Sequence, residues 1–254
     1  MDIVQDFYEN LAQQYDRLFS DWNTSVREQA EIISRIIREN GFDMSAKILD
    51  CACGIGTQAI GLAALGYGVT ASDISDAEIA EAKQRAESRG VQIRFAHADF
   101  RKLADVFQEQ FNIVIAMDNA LPHMLTGTDL ETAVSSIAER LKPGGIFLAS
   151  IRDYDSMLES KPPYSAPYIH KTEKGQRVSF QTWDWNGDCY RLTQYIIEDS
   201  GIPEISKFTC AYRAVRRAEL SELLQAAGFR EVRWLMPEET GYYQPVVAAK
   251  RGTA

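Results

Sequence analysis

From residue 47 onward the chain alternates short runs rich in apolar residues with segments of helical spacing, and that alternation limits the folds open to it more than any other feature. KILD (47–50), GVTASD (68–73), VQIRFAHAD (91–99), FNIVIAMD (111–118) and IFLASIR (146–152) read as five strands. Between them lie TQAIGLAAL (57–65), a helix opened by Ser75 and closed by Gly90, and a helix over 129–141. Ser75 with Glu78, and Thr128 with Glu131, match the capping-box pattern of a helix start. KPGG (142–145) is expected to make the turn into the fifth strand. Strands that are apolar on both faces must be covered on both sides, the arrangement of a parallel sheet between two helical layers. ELSELLQAAG (219–228) adds a helix, and EVRWLM (231–236) and QPVVAAK (244–250) add two strands. The expected fold is therefore α/β: a Rossmann-like, doubly wound, seven-stranded and mostly parallel sheet with helices on both faces.

Two stretches depart from this rhythm. Phe7, Leu11, Tyr15, Leu18 and Phe19, then Ile32, Ile33, Ile36 and Ile37 before Gly41, mark two N-terminal helices. Residues 153–207 mix turn-forming segments (KPPYSAP, NGD) with β-rich runs (RVSFQTW, YRLTQYII), the pattern of an antiparallel insertion or cap. Trp183 and Trp185 alternate to one face of such a strand and are taken as packing residues. The expected organisation is an N-terminal helical lid over 1–45 and a cofactor-binding core over 46–152. A β-rich insertion over 153–210 would form an acceptor pocket, and 211–254 would complete the sheet.

Composition removes several classes of function. No apolar run approaches the roughly 20 residues that span a bilayer. MDIVQDFYEN is acidic and lacks the layout of a secretory signal, so a cytoplasmic location is expected. A net charge of −9 argues against a general nucleic-acid binder. Cysteines at 51, 53, 189 and 210 are too scattered for a disulfide framework. The Cys51/Cys53 pair lacks a second Cys/His cluster, so small apolar side chains in a packed loop are the better account than a metal site.

The chemistry gathers at ILDCACGIGTQAI (48–60). In an open parallel sheet a ligand sits beyond the carboxyl ends of the strands, where the strand order reverses. Gly54 and Gly56 lack a Cβ and let the backbone approach a ligand closely. Asp73 ends the second strand 23 residues after Asp50, where an acid can accept hydrogen bonds from ribose hydroxyls. Asp99, ending the third strand, can meet a base amino group, with Phe100 beside it as a further contact. The run Gly54 to Ala59 fits G-x-G-x-x-G/A and so permits a dinucleotide. Asp50 argues otherwise, because an anion repels a pyrophosphate but attracts a cationic amino-acid tail and a sulfonium. S-adenosylmethionine carries both positive groups and no phosphate, and suits the acids at 50, 73 and 99 better.

LDCACGIG, VTASDIS, HADF, MDNALPHML and LKPGGIFL together resemble the successive motifs of class I S-adenosylmethionine-dependent methyltransferases. The pattern is most similar to glycine N-methyltransferase and the glycine/sarcosine N-methyltransferases, over residues of about 15 to 158. The resemblance implies that Ala52 and Asp73 touch the cofactor, that Asp99 lies near adenine, and that Met117 and His123 are cofactor contacts. It places Arg27 on the methionyl carboxylate. It gives Asn119 and Arg152 to the acceptor, with Tyr195 and Tyr212 lining the acceptor pocket. In this light the alanine at 52 is a mark of the subgroup rather than a damaged glycine loop.

This chain departs from the family pattern at three places. Asp118 stands in place of a glycine, Asp153 in place of an asparagine, and Pro122 precedes His123. The resemblance implies methyl transfer to a small-molecule acceptor, on the nitrogen of an amino-acid-like amine, with an oxygen or a larger metabolite as the alternative acceptor. Non-catalytic cofactor binding is a further alternative. The reaction implied is an in-line displacement that needs no metal and no obligatory general base, His123 and Asn119 being the candidates if one is used.

Overall fold

The computed structural model describes residues 3–172 and 175–253. Helices α1 (Ile3–Leu11) and α2 (Trp22–Glu39) open the chain, joined by a 3-10 segment over Ala12–Leu18. There follow β1 (Lys47–Asp50), α3 (Thr57–Ala64), β2 (Gly68–Asp73), α4 (Asp76–Ser88), β3 (Arg94–His97), β4 (Phe111–Ala116), α5 (Gly127–Glu139) and β5 (Leu141–Ser150). After α6 (Tyr154–Ser160) come β6 (Tyr168–Thr172), β7 (Gly175–Asn186), β8 (Cys189–Asp199) and β9 (Pro203–Arg213). The chain returns to the first sheet through α7 (Arg217–Ala226), β10 (Phe229–Leu235), α8 (Pro237–Thr240) and β11 (Val246–Arg251).

Among the described residues the strands form two sheets. The larger has the order β10-β11-β5-β4-β1-β2-β3, parallel from β5 through β3, with β11 and β10 antiparallel at one edge. The chain runs outward from β1 to β3 and then restarts on the other side at β4, so the strand order reverses between β1 and β4. That reversal leaves a crevice at the carboxyl ends of these two strands.

The apolar runs are explained by what lies on each side. Alternate strand residues point to opposite faces. Ile48, Ile113, Ile115, Ile146 and Leu148 therefore pack into one core, with Ile33, Ile37 and Leu62 of α2 and α3. Leu49, Val114, Phe147 and Val247 enter a second core, with Leu130, Val134, Ile137, Leu220 and Leu224 of α5 and α7. Burying one such leucine or isoleucine contributes about 1.5–3 kcal/mol.

The second sheet is antiparallel, with the order β6-β7-β8-β9. Its inner face joins the core through Tyr190, Leu192, Ile196, Cys210 and Tyr212.

Local details differ from the sequence expectation in three places. Helix α5 is capped by Thr126, whose hydroxyl accepts from Asp129 N at 3.1 Å, not by Thr128 with Glu131. The KPGG segment lies within β5, where the register against β4 slips between Phe111 and Ile113. Pairing of β3 with β2 covers only Arg94–His97, shorter than the apolar run suggests. Ser75 does cap α4, accepting from Glu78 N at 3.2 Å. Among the described residues no helix is long and apolar enough to cross a membrane, and no His, Cys, Asp and Glu cluster could hold a metal ion.

Candidate active site

At the end of β1 the chain leaves the sheet, crosses above β2 and enters α3. Cys53 N donates to Ser72 O at 3.0 Å and Gly54 N to Asp73 Oδ2 at 2.9 Å, pinning the loop to β2. Gly54 and Gly56 have φ of 50° and 89°, the left-handed region that glycine enters freely. A Cβ on Gly56 would lie 2.8 Å from Ile60 Cδ1, so the first turn of α3 packs tightly against the loop.

A narrow cavity opens over this loop. Ala52, Gly54, Asp73, Asp99, Phe100, Met117 and His123 all line it. Asp73 Oδ1 accepts from Ser75 N at 3.0 Å, and with Gly54 N on the other oxygen the carboxylate is fixed at the cavity rim with lone pairs to spare. Asp99 is gripped by Arg101, whose Nε and Nη2 lie 2.9 Å and 2.7 Å from its Oδ2. Its carboxylate is thereby partly neutralised beside the position proposed for a base.

Asp50 and Gly56 do not line the cavity; they lie one layer beneath it. Asp50 is 1% exposed, its Oδ1 accepts weakly from Ala52 N at 3.4 Å, and its Oδ2 has no hydrogen-bond partner among the described residues. Burial, reinforced by the charges of Asp73 and Asp118, pushes its pKa up to about 8. A buried carboxyl of this kind under a glycine loop is suited to a cationic group bound above it. S-adenosylmethionine, with its ammonium and sulfonium, meets that requirement; a pyrophosphate does not.

A second cavity of about 730 Å³ lies between α1, α2, the inner face of the antiparallel sheet and the loop before β11. Asn119, Arg152 and Tyr212 line it, together with Gln181, Gln194, Tyr242 and Tyr243. Tyr8, Tyr15 and Asp118 line both cavities and form the wall between them.

Arg152 reaches this cavity from the end of β5. Its Nη1 donates to Tyr190 Oη at 3.1 Å and its Nη2 to Gln181 Oε1 at 2.9 Å. The guanidinium lies over the rings of Trp183 and Tyr212, at 5.4 Å and 5.7 Å from their centroids. Trp183, expected only to pack, thus also seats the arginine. Neither nearby acid pairs with it. Asp153 is held by Arg217, and Asp118 accepts from Gln58 Nε2 at 2.7 Å, Tyr243 Oη at 2.8 Å and Tyr242 Oη.

Asn119, 3% exposed, uses its amide structurally. Its Nδ2 donates to Tyr154 Oη at 2.9 Å and its Oδ1 accepts from Arg152 N at 3.0 Å. Asp118 and Asn119 both adopt positive φ, 54° and 70°. Only Gly, Asn and Asp enter this region readily, which explains a glycine at the first of these positions in the related pattern.

His123 is buried against Tyr8 and Tyr212. Its Nε2 shares a hydrogen bond with Tyr8 Oη at 2.9 Å, and its ring centroid lies 4.1 Å from that of Tyr212. Burial, aided by the charge of Arg152, depresses its pKa to about 3. It is neutral in the working range and holds a proton too weakly to serve as an effective base.

Besides Asp50 and Gly56, two further expected site residues line neither cavity. Arg27 is exposed on α2, donates to Thr24 Oγ1 at 3.2 Å, and faces a surface cleft shared with Trp22, Arg85 and Arg89. The reason is helical phase: Gln29, two residues on, is turned by about 200° and points into the second cavity. Tyr195 stacks on Phe180 at 4.9 Å and is paired in register with Lys207, on the outer face of the antiparallel sheet. Directly opposed strand residues share a face. Tyr212 opposes Tyr190, so Tyr190 is the β8 residue on the same face as Tyr212, toward the second cavity. That parity was available in the alternation of Tyr190, Leu192, Gln194 and Ile196. Tyr8, Tyr242 and Tyr243 carried no comparable local signal.

Residues 48–145 match the family profile described as Methyltransferase domain. A glycine/sarcosine N-methyltransferase of Parasynechococcus marenigrum (strain WH8102) is 28% identical over 230 residues, covering 90% of this chain and 77% of the relative. The putative methyltransferase YqeM of Bacillus subtilis (strain 168) is 30% identical over 195 residues, covering 72% of this chain and 75% of the relative. The crystal structure of an S-adenosylmethionine-dependent methyltransferase from Clostridium acetobutylicum superposes with a TM-score of 0.76 at 17% identity, over 96% of this chain and 99% of that one.

Proposed function

We propose that this chain, which belongs to the S-adenosylmethionine-dependent methyltransferases, methylates the nitrogen of a small amine that also carries a carboxylate. The observation that carries this reading is Arg152: a cationic fork in the wall of the second cavity, with no acidic partner among the described residues. A seated guanidinium of this kind is suited to bidentate capture of a carboxylate. The relative from Parasynechococcus marenigrum is named for glycine and sarcosine, which have both groups. The cavity of about 730 Å³ leaves room for a longer acceptor than glycine, since pockets of about 300–1,000 Å³ hold drug-sized ligands.

When bound, S-adenosylmethionine supplies a methyl group already activated by its sulfonium. The chain's residues do the rest by placement. The backbone of Ala52 and Gly54 forms the bed of the first cavity, Asp73 offers its carboxylate to ribose hydroxyls, and Asp50 lies beneath as a compensating charge. Arg152 holds the acceptor by its far end and turns the amine toward the wall formed by Tyr8, Tyr15 and Asp118. Holding two reactants in line supplies up to about 7–11 kcal/mol of the barrier reduction. Hydroxyl oxygens of Tyr8 and Tyr212, 3.5 Å apart, face the region where positive charge moves onto nitrogen.

The test is transfer of tritiated methyl groups from S-adenosylmethionine to glycine, sarcosine and longer amino acids, with mass spectrometry locating the label. Labelled nitrogen, together with loss of transfer in Arg152→Ala, is expected. Label confined to oxygen, or an Arg152→Ala variant that binds the acceptor fully, overturns the reading.

A further inference from the structure

Asp118 is the acid at the meeting point of the two cavities, and its backbone lies in the left-handed region. It lines both spaces, together with Tyr8 and Tyr15. Its φ of 54° is one that Asp, like Gly and Asn, reaches readily, so this backbone can carry a carboxyl at the junction. The carboxylate is oriented from three directions: Oδ1 accepts from Tyr242 and Tyr243, and Oδ2 from Gln58. Two oxygens provide about four acceptor positions, so three bonds leave one, on Oδ2. Gln58 is itself fixed by Gln29, whose Oε1 accepts from it at 2.7 Å. The group is therefore built to present one lone pair at the junction.

We propose that Asp118 binds the acceptor's ammonium through Oδ2 and takes its proton, so that the amine is made nucleophilic inside the site. The inference rests on the amine reading above and adds to it the form in which the amine arrives, as a cation. An N–H bond of the ammonium breaks and an O–H bond forms on Asp118. The freed nitrogen lone pair then forms the N–C bond to the methyl carbon as the C–S bond breaks, its electron pair remaining on sulfur. The product is an N-methyl ammonium, and Asp118 returns its proton to water.

The neighbours are consistent with this role. Tyr242 and Tyr243 from the segment after α8, and Tyr15 from the 3-10 segment, all have phenol pKa values raised by burial and stay neutral. Asp50, beneath the loop, feels the charges of Asp73 and Asp118, and Tyr15 feels those of Asp118, Glu78 and Asp73, so these buried acids share the neighbourhood. Burial raises the Asp118 carboxyl above its ordinary range, against the opposing effect of its hydrogen bonds, which brings it toward the pKa a base needs. His123 cannot take this part, being neutral and held by Tyr8.

The experiment compares the intact chain with D118N, which tolerates the positive φ, and D118G, which relieves it. Glycine, sarcosine and 2-aminoethanol are the acceptor probes, the last lacking a carboxylate for Arg152. Binding of glycine in the presence of S-adenosylhomocysteine is read by calorimetry, and kcat/KM is followed against pH. Both variants are expected to lose about 100-fold or more in kcat/KM at neutral pH, and to bind glycine more weakly. Both should hold S-adenosylhomocysteine within threefold of the parent chain. In D118N, kcat/KM should climb tenfold per pH unit up to the amine's own pKa, where the parent chain shows a plateau. Retained kcat/KM in D118N, or an equal loss at every pH, overturns the inference while leaving the amine reading intact. A parent chain that methylates no amine defeats both.

Discussion

Asn119 Oδ1 accepts a hydrogen bond from the backbone N–H of Arg152 at 3.0 Å, tying the end of β4 to the end of β5. The same amide donates to Tyr154 Oη, which shares a 2.8 Å bond with Tyr190 Oη, and Tyr190 in turn accepts from the Arg152 guanidinium. The arginine is thus fixed at both its backbone and its tip by one closed network.

Asn119→Gly removes the amide without straining the backbone, and its expected effect is a raised acceptor KM with unchanged affinity for S-adenosylhomocysteine. Asn119→Ala adds the penalty of a positive φ and is expected to lose about 2 kcal/mol or more of stability. Thermal unfolding of the two variants, alongside steady-state kinetics, separates positioning from strain.

Arg152→Lys keeps the charge but not the fork. With one charge-assisted hydrogen bond contributing about 1.5–3 kcal/mol, acceptor KM is expected to rise roughly 10- to 100-fold. Initial rates with a carboxylate-bearing acceptor check this, and an acceptor without a carboxylate should show little change.

Tyr190→Phe deletes the hydroxyl that links Arg152 to Tyr154 and is expected to weaken acceptor binding several-fold. Tyr195→Phe, on the far side of the same sheet, should stay within twofold of the parent chain. Equal effects from the two substitutions would contradict the assignment of faces in β8.

Asp50 couples pH to both stability and cofactor binding. Its carboxyl is raised to about 8 in the folded chain, so the folded state holds a proton that the unfolded state releases near pH 4. The stability from this group is therefore full below about pH 4 and falls as pH rises toward 8. Bound S-adenosylmethionine favours the ionised carboxylate, so binding at pH 7 is expected to release protons. Titration calorimetry in buffers of different ionisation enthalpy measures that release, and Asp50→Asn should abolish most of it. The same variant is expected to be more stable than the parent chain at pH 9 without cofactor.

The layered α/β fold was legible in the sequence because each of its signals is local. Ile48 and Leu49 are adjacent apolar residues that enter opposite cores, and only a sheet covered on both faces makes use of both. Ser75 caps α4 from within its own turn, and Gly54 and Gly56 mark the loop by the backbone conformations they permit. The seating of Asp73 at the end of β2 follows from the same short-range logic. The cap of α5 was misplaced by two residues because Thr126 and Thr128 both precede suitable acids, and the sequence offers no means of choosing between them.

What the sequence by itself determined is the sheet, its covering helices and a glycine loop with acids at successive strand ends. Periods of two and 3.6 are enforced within a few residues by sterics and burial. What the tertiary structure alone decided is which side chains meet. Tyr8 reaches His123 across 115 positions, Tyr242 reaches Asp118 across 124, and both encounters depend on how whole elements dock. Arg27 lost its expected place by the phase of one helix, and Tyr195 by the parity of one strand. Motif spacing does not specify either, because a rotation of 100° per residue or a change of face leaves the pattern of residue types intact while redirecting the side chain.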